Sequence, residues 1–327
     1  MSRVLITGGA GPLGAAVARR LLADPAYDVR ISDRRPAPLW MREGCEIRDG
    51  DLRAPAQALA ATKGCALVVH LATYAPDDPR PGGTPFTLIE HESAIHASVV
   101  RAAVERGVER LVYISSADVF ERAERLPTPE ADLRECRVPR SARAFARLAG
   151  ERYCTAAHEQ HGLPYTICRP SAVYGAASPM GAGEPGVDPL IGELLDAAVR
   201  GERELDGATE HTRTPTHADD VADGIVLALG SQAALNDDFN LAGPRELSPG
   251  ELARIVCEAA GVGASALASK AGADAAAEPE RRWPSAQKAH ELLDWRARIA
   301  LEDGIAATVR ALEASASAIS SAASATG

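Results

Sequence analysis

An α/β fold, with a doubly wound parallel sheet followed by a smaller C-terminal region, is predicted by three observations. Short apolar runs alternate with helix-periodic stretches through the first half of the chain, a glycine-rich turn joins the first run to its helix, and Gly and Pro crowd the chain where the alternation ends. The runs read VLIT, VRIS, ALVVHLA, RLVYISS and PYTICRP. Such unbroken apolar strands suit a parallel sheet, whose crossover helices cover both faces.

The first run leads straight into TGGAGPLG, and AAVARRLLA continues the pattern as a helix. Gly8, Gly11 and Gly14 let the backbone approach a pyrophosphate, and the helix N-terminus offers unpaired N–H groups and a positive dipole end. Pro12 suits the first helical turn, where a missing N–H costs nothing, and Leu13 follows it. This strand–turn–helix is the signature of a Rossmann-type dinucleotide site. The second run ends at Asp33, about 20 residues past the loop, where an acid accepts hydrogen bonds from the adenosine ribose and disfavours a 2′-phosphate. Arg34 and Arg35 are suited to holding such a phosphate, so NAD is favoured and NADP is left open.

The later elements follow from punctuation. After Arg169 the segment SPMGAGEPGVDP ends the strand–helix rhythm, and shorter elements follow it. Residues 1–175 are expected to form the dinucleotide-binding domain, with parts of 205–245 returning to it, and 176–312 mainly a substrate-binding region. From Glu313 the Ala/Ser-rich sequence predicts a frayed low-complexity tail, 313–327.

Composition narrows the function classes. A formal net charge of −10 and only three lysines argue against a nucleic-acid binder, which needs clustered Lys and Arg. No apolar run approaches the length of a membrane span. The six cysteines show no C-x-x-C pair or metal spacing, and the first residues carry no charged-then-apolar leader. The expectation is a cytoplasmic protein with reduced thiols, no metal and a small-molecule substrate; a homodimer is left open.

With TGGAGPLG come the GDL of Gly50 to Leu52, HLA of His70 to Ala72, YISSADVF, CRPSAVYG, RTPTHADDVADGI, FNLAGPRELSPGEL and LLDWRARIALEDGI. In this order they resemble the extended short-chain dehydrogenase/reductases of the NAD-dependent epimerase/dehydratase family, from Arg3 to about Leu312. The resemblance implies that Asp51 and Leu52 flank the adenine, Leu71 and Ala72 the cofactor ribose, and Pro170 to Val173 the nicotinamide carboxamide. It places Arg213, His217 and Asp220 near the substrate, although His217 also suits a core.

Such enzymes commonly carry Tyr-x-x-x-Lys on a helix, a Ser or Thr on the preceding strand and often an Asn on another helix. Tyr and Lys one turn apart share a face. The ammonium lowers the phenol pKa and holds the ribose, and the phenol exchanges a proton as hydride moves. Ser116 stands at the Ser position, but Arg147 falls on the Lys, Arg143 on the Tyr and Glu92 near the Asn. Tyr153 is followed four residues later by Ala157, so no shifted pair exists. Arg147 can still donate to the ribose, and Arg143 can steady an oxyanion, but neither titrates usefully. Either can instead be engaged in a salt bridge to Glu92 or Glu151. Ser116, Asp118, Glu92, Tyr113, Tyr174 and the substrate itself remain as proton donors.

The leading functional reading is an NAD(P)-dependent oxidoreductase of ketoreductase or alcohol dehydrogenase type. It would move a hydride to or from a carbonyl or carbinol carbon of a nucleotide sugar or secondary metabolite, with Ser116 and Arg143 polarising the oxygen. The alternatives are a nucleotide-sugar epimerase/dehydratase and a non-catalytic NAD(P)-binding regulator.

Overall fold

A computed structural model describes residues 1–74, 84–175, 187–201, 204–205, 211–262, 268–269 and 281–325. Seven parallel strands form one sheet: β1 (Ser2–Thr7), β2 (Tyr27–Asp33), β3 (Glu46–Asp49), β4 (Leu67–His70), β5 (Arg110–Ile114), β6 (Tyr165–Pro170) and, after the short pieces β7 (Val173–Tyr174), β8 (Glu204–Leu205) and β9 (Thr216–His217), β10 (Asp237–Leu241). A last short strand, β11 (Ala268–Ser269), pairs with β8, and β7 pairs with β9. The order across the sheet is β10-β6-β5-β4-β1-β2-β3. It reverses direction between β1 and β4, and ligands of doubly wound sheets bind beyond the strands' carboxyl ends at such a switch point.

Helices cover both faces. They are α1 (Pro12–Leu22), α2 (Leu39–Gly44), α3 (Pro55–Thr62), α4 (Pro85–Arg106), α5 (Ala142–His161), α6 (Pro189–Arg200), α7 (Ala218–Gly230), α8 (Pro249–Ala259), α9 (Gln287–Leu293) and α10 (Leu301–Ala325). The strand residues that face α1 and α7, such as Val4, Ile6, Val29 and Val112, bury one core. Leu5, Val68 and Leu111 bury a second beneath α3, α4 and α5. Strand alternation sends neighbouring residues to opposite faces, which is why a continuous apolar run serves both. A third apolar cluster joins Tyr174 to α6, α8 and α10.

The expected tail behaves differently. Helix α10 continues through Glu313 as far as Ala325, because Ala is the strongest helix former and Ser315 and Ser317 satisfy their hydroxyls on the preceding turn. Ser315 Oγ donates to the Ala311 carbonyl at 2.9 Å, and Ser317 does the same to Glu313. All six cysteines are free. Among the described residues no helix is long and apolar enough to cross a membrane, and no cluster of three or more His, Cys, Asp or Glu is arranged to hold a metal.

Candidate active site

The glycine turn is built for a close backbone approach. Gly8 has φ +71°, and a β-carbon there would stand 2.8 Å from Ala72 N and Cα. A β-carbon on Gly14 would stand 2.6 Å from the Gly8 carbonyl oxygen. Neither position has room for a side chain. Gly11 is the extended residue before α1 and Pro12 opens the helix, with no side chain capping its N–H groups. Asp33 braces this turn: one carboxylate oxygen accepts the Ala10 N–H at 3.0 Å, the other the Arg35 N–H at 2.9 Å. Arg35 Nε also lies 3.6 Å from it, whereas Arg34 is exposed. Asp51 accepts from Arg53, whose hydrogen bond holds that carboxyl below its usual range, and Leu52 is buried beside it.

Arg147 lies on the inner face of α5, buried. Its Nη1 donates to the Ile114 carbonyl at 3.2 Å, and its own carbonyl accepts from the Tyr113 hydroxyl at 3.2 Å. Among the described residues its other guanidinium nitrogens have no acceptor. Burial works most strongly against its charge, but Glu92, Tyr113 and Asp118 together outweigh it and keep Arg147 protonated. Glu92 is fully buried in α4; burial pushes its carboxyl up, while Arg147 and then His96 bring it down to about 2.

A buried chain of polar groups leads away from Glu92. Its Oε1 accepts the Tyr74 N–H at 2.9 Å. His96 Nε2 lies 3.1 Å from Oε2, within ion-pair reach but off the hydrogen-bond direction, and 3.3 Å from the Tyr113 hydroxyl. His96 Nδ1 meets His70 Nε2 at 3.0 Å, and His70 Nδ1 meets Thr7 Oγ1 at 2.7 Å. Burial, above all, lowers the proton affinity of both imidazoles, so they stay neutral and each has one N–H. With the Tyr113 hydroxyl donating to the Arg147 carbonyl, it accepts the His96 Nε2–H, and the tautomers follow: His70 Nε2–H donates to His96 and the Thr7 hydroxyl donates to His70. Thr7 Oγ1 in turn accepts the Ala72 N–H at 3.2 Å, tying the chain to the segment against Gly8.

The second half of the site is a cleft enclosing about 420 Å³, counting its open mouth. Ser116, Asp118, Ser171, Ala172, Asp188, Arg213 and Arg282 are among its lining residues. Ser116 caps a short 3-10 turn after β5, accepting the Asp118 N–H and donating to Asp118 Oδ2, each at 3.1 Å. Asp118 Oδ1 accepts from Arg282 Nη1 at 3.1 Å. Ala172 sits at φ +39°, a left-handed conformation that a non-glycine residue adopts only when its surroundings impose it. Arg213 Nε donates to Asp188 Oδ2 at 2.9 Å, and Asp188 also caps α6.

Several sequence-predicted residues lie elsewhere. Arg143 is exposed on the first turn of α5 and carries no hydrogen bond to Ser116 among the described contacts. Glu151 engages neither Arg143 nor Arg147 but Arg169, at 2.8 Å through both oxygens, and takes the Ser115 hydroxyl at 2.6 Å. Tyr113 and Tyr174 are buried away from the cleft, and burial raises both phenols. Asp220 pins the C-terminal segment: its Oδ2 accepts the Ile299 N–H and its carbonyl the Trp295 indole N–H. His217 caps α7 and packs edge-on against Tyr174. Val173 is buried in pairing with Thr216, Pro170 ends β6, and Leu71 is buried at the end of β4.

Sequence reasoning missed Asp188 and Arg282. Asp188 was legible as an N-cap, since Asp before Pro at the first helical position is a helix-start signal. Arg282 carried no local signal. Its segment is held beside the site by pairing with Thr128, whose N–H donates to the Trp283 carbonyl at 2.7 Å and whose carbonyl accepts the Ser285 N–H at 2.8 Å.

Sheet order, the glycine turn at the switch point and a cleft beyond the ends of β5 and β6 define a dinucleotide-dependent enzyme of the doubly wound class. The description of the matching family model, over residues 4–242, is NAD dependent epimerase/dehydratase family, and the chain belongs to that family. It is similar to UDP-glucuronic acid decarboxylase 1 of Xenopus tropicalis, 25% identical over 94% of this chain and 71% of the relative. It is similar also to the UDP-glucose 4-epimerase of Mycolicibacterium smegmatis, 29% identical over 94% of this chain and 97% of the relative. Among solved structures, the dTDP-glucose 4,6-dehydratase of Streptomyces venezuelae with NAD bound superposes with a TM-score of 0.79 at 25% identity, covering 94% of this chain and 96% of that one. The cofactor is NAD. The β-carbon-free turn and the buried Arg147 with unmet donors fit that group.

Proposed function

We propose that this protein oxidises a carbinol carbon of a nucleotide sugar, or reduces the corresponding carbonyl, with proton transfer through Ser116 and Asp118 in place of a tyrosine. The observation that carries the reading is the Ser116–Asp118 hydrogen bond in the cleft, with both candidate tyrosines buried elsewhere. The substrate class rests on the relatives named above, which carry UDP- or dTDP-sugars in their names.

Gly8, Gly11, Pro12, Leu13 and Gly14 would hold the pyrophosphate, Asp33 and Arg34 would border the adenosine ribose, and Asp51 with Leu52 the adenine. Leu71, Ala72 and Arg147 would meet the second ribose, and Pro170 with Val173 the carboxamide end. NAD, when bound, supplies the hydride acceptor or donor. The Ser116 hydroxyl takes the proton of the substrate hydroxyl as it hands its own to Asp118 Oδ2; reduction runs the same exchange backwards. An epimerase or dehydratase reading is favoured by one feature, a carboxylate two residues beyond Ser116 that can serve as a second acid/base.

Incubation with NAD and a panel of UDP-, dTDP- and GDP-sugars tests this. NADH accumulating at 340 nm is the expected result, and it should vanish in Asp118→Asn. An altered sugar without net NADH would favour epimerisation or dehydration. Cofactor binding without any product would mark a regulator.

A further inference from the structure

Arg282 is held more firmly than a surface arginine needs to be. Its backbone N–H donates to Thr212 Oγ1 at 2.8 Å, and its carbonyl accepts from Thr214 Oγ1 at 3.0 Å. Both flanking backbone groups are thus fixed to the far wall of the cleft, while the side chain crosses to Asp118 on the other wall. It does so with Nη1 alone. Its Nε is buried and has no partner among the described residues.

An arginine binds a carboxylate best through two parallel N–H groups, and the Nε/Nη2 edge is one such fork. The same protein shows that edge in use: Arg169 donates from Nε and Nη2 to the two oxygens of Glu151, each at 2.8 Å. At Arg282 this edge meets no carboxylate among the described residues, although burial of an unmet charged donor is costly. The other cations of the cleft are engaged differently. Arg213 spends Nε on Asp188 and Nη1 on two carbonyls, and Arg281 is paired with Glu246.

The geometry points to Arg282 as a specificity-determining residue that takes a carboxylate on the reacting end of the substrate through its Nε/Nη2 edge, next to Ser116. Asp118 keeps Nη1 and so aims the fork; it does not have to be displaced. On the nucleotide-sugar reading, on which the choice of ligand rests, the substrate is a nucleotide-linked sugar acid, not a neutral sugar. The carboxylate would stand within one residue's reach of the Ser116–Asp118 pair, so the acid group and the reacting hydroxyl belong to the same ring.

Calorimetry with UDP-glucuronate and UDP-glucose, on the NAD-loaded protein, tests the assignment without relying on turnover. Wild-type protein should bind UDP-glucuronate at least tenfold tighter. Arg282→Gln should lose that preference while holding UDP-glucose within about twofold, and Arg282→Lys, a point charge without a fork, should fall between. Equal binding of the two ligands by wild-type protein, or a preference that survives Arg282→Gln in a protein with unchanged melting, overturns it. If neither ligand binds, the nucleotide reading fails by itself; free glucuronate against glucose at millimolar concentration then decides the carboxylate site, with preference for the acid supporting it and indifference overturning it.

Discussion

Arg147 shows how much one side chain can change a site at constant charge. A lysine can give up its proton or move it; a guanidinium cannot, so Arg147 is confined to binding and electrostatics. It is buried with one nitrogen on a backbone carbonyl and the rest without described acceptors, which is the condition of a donor waiting for a ligand hydroxyl. Arg147→Ala should therefore weaken NAD binding by ~1–3 kcal/mol, roughly ten- to hundredfold, with charged hydrogen bonds lost. Titration calorimetry checks it, and an unchanged Kd would restrict Arg147 to bracing α5 against β5. The glycines make the complementary case: Gly8 and Gly14 act by lacking an atom.

At the scale of the element, α5 is positioned by its cap, by its contact with β5 and by one ion pair. Ser141 accepts the Ala144 N–H at 3.2 Å to start the helix. Gly150 lets it approach β5, since a β-carbon there would lie 2.0 Å from the Tyr113 hydroxyl and 3.0 Å from His96 Cδ2. Glu151 then locks it to Arg169 of β6, which also reaches Asp238 of β10 at 2.7 Å. Gly150→Ala is expected to push α5 off the sheet, costing ~1–3 kcal/mol as overpacking does, and to weaken NAD binding by shifting Arg147. Gly250→Ala, where a β-carbon meets nothing within 4 Å, serves as the control and should be neutral or slightly stabilising. Thermal melting of the two variants side by side measures the difference; equal melting would mean that the α5–β5 contact relaxes without cost.

For the whole molecule, the buried Glu92 makes stability depend on acid. Its folded carboxyl sits at about 2 against 4.5 when unfolded, because Arg147 and His96 more than offset burial. A depressed pKa means that the unfolded chain binds the proton first. The stabilisation is complete above pH 4.5 and is lost as pH falls toward 2, an effect of order 3 kcal/mol. Urea unfolding between pH 6 and 3 should show stability falling on acidification, and Glu92→Gln should be less stable at pH 6, with Arg147 left uncompensated, but flatter in pH. Parallel pH profiles for the two proteins would rule this linkage out.

The sequence by itself determined what is written in short stretches. Strand runs, the Gly8–Gly14 turn, Asp33 at the end of β2, Ser116 and the replacement of Tyr-x-x-x-Lys by Arg143 and Arg147 are all local patterns, and local patterns follow from periodicity, capping and the conformational freedom of glycine. The α10 extension also follows from local propensity, because Ala favours helix even where an Ala/Ser run has the composition of a low-complexity tail. What only the tertiary structure decided is which polar groups meet. Asp118 and Arg282 stand 164 residues apart, and Asp220 finds Ile299 from 79 away. His70 and His96 come from β4 and α4, and the pairing of Glu151 with Arg169 leaves Glu92 as the counter-charge of Arg147. An ion pair is a relation between positions in space, and no spacing along the chain encodes it; burial turns that relation into energy, because a charge removed from water must find its partner within a few ångströms.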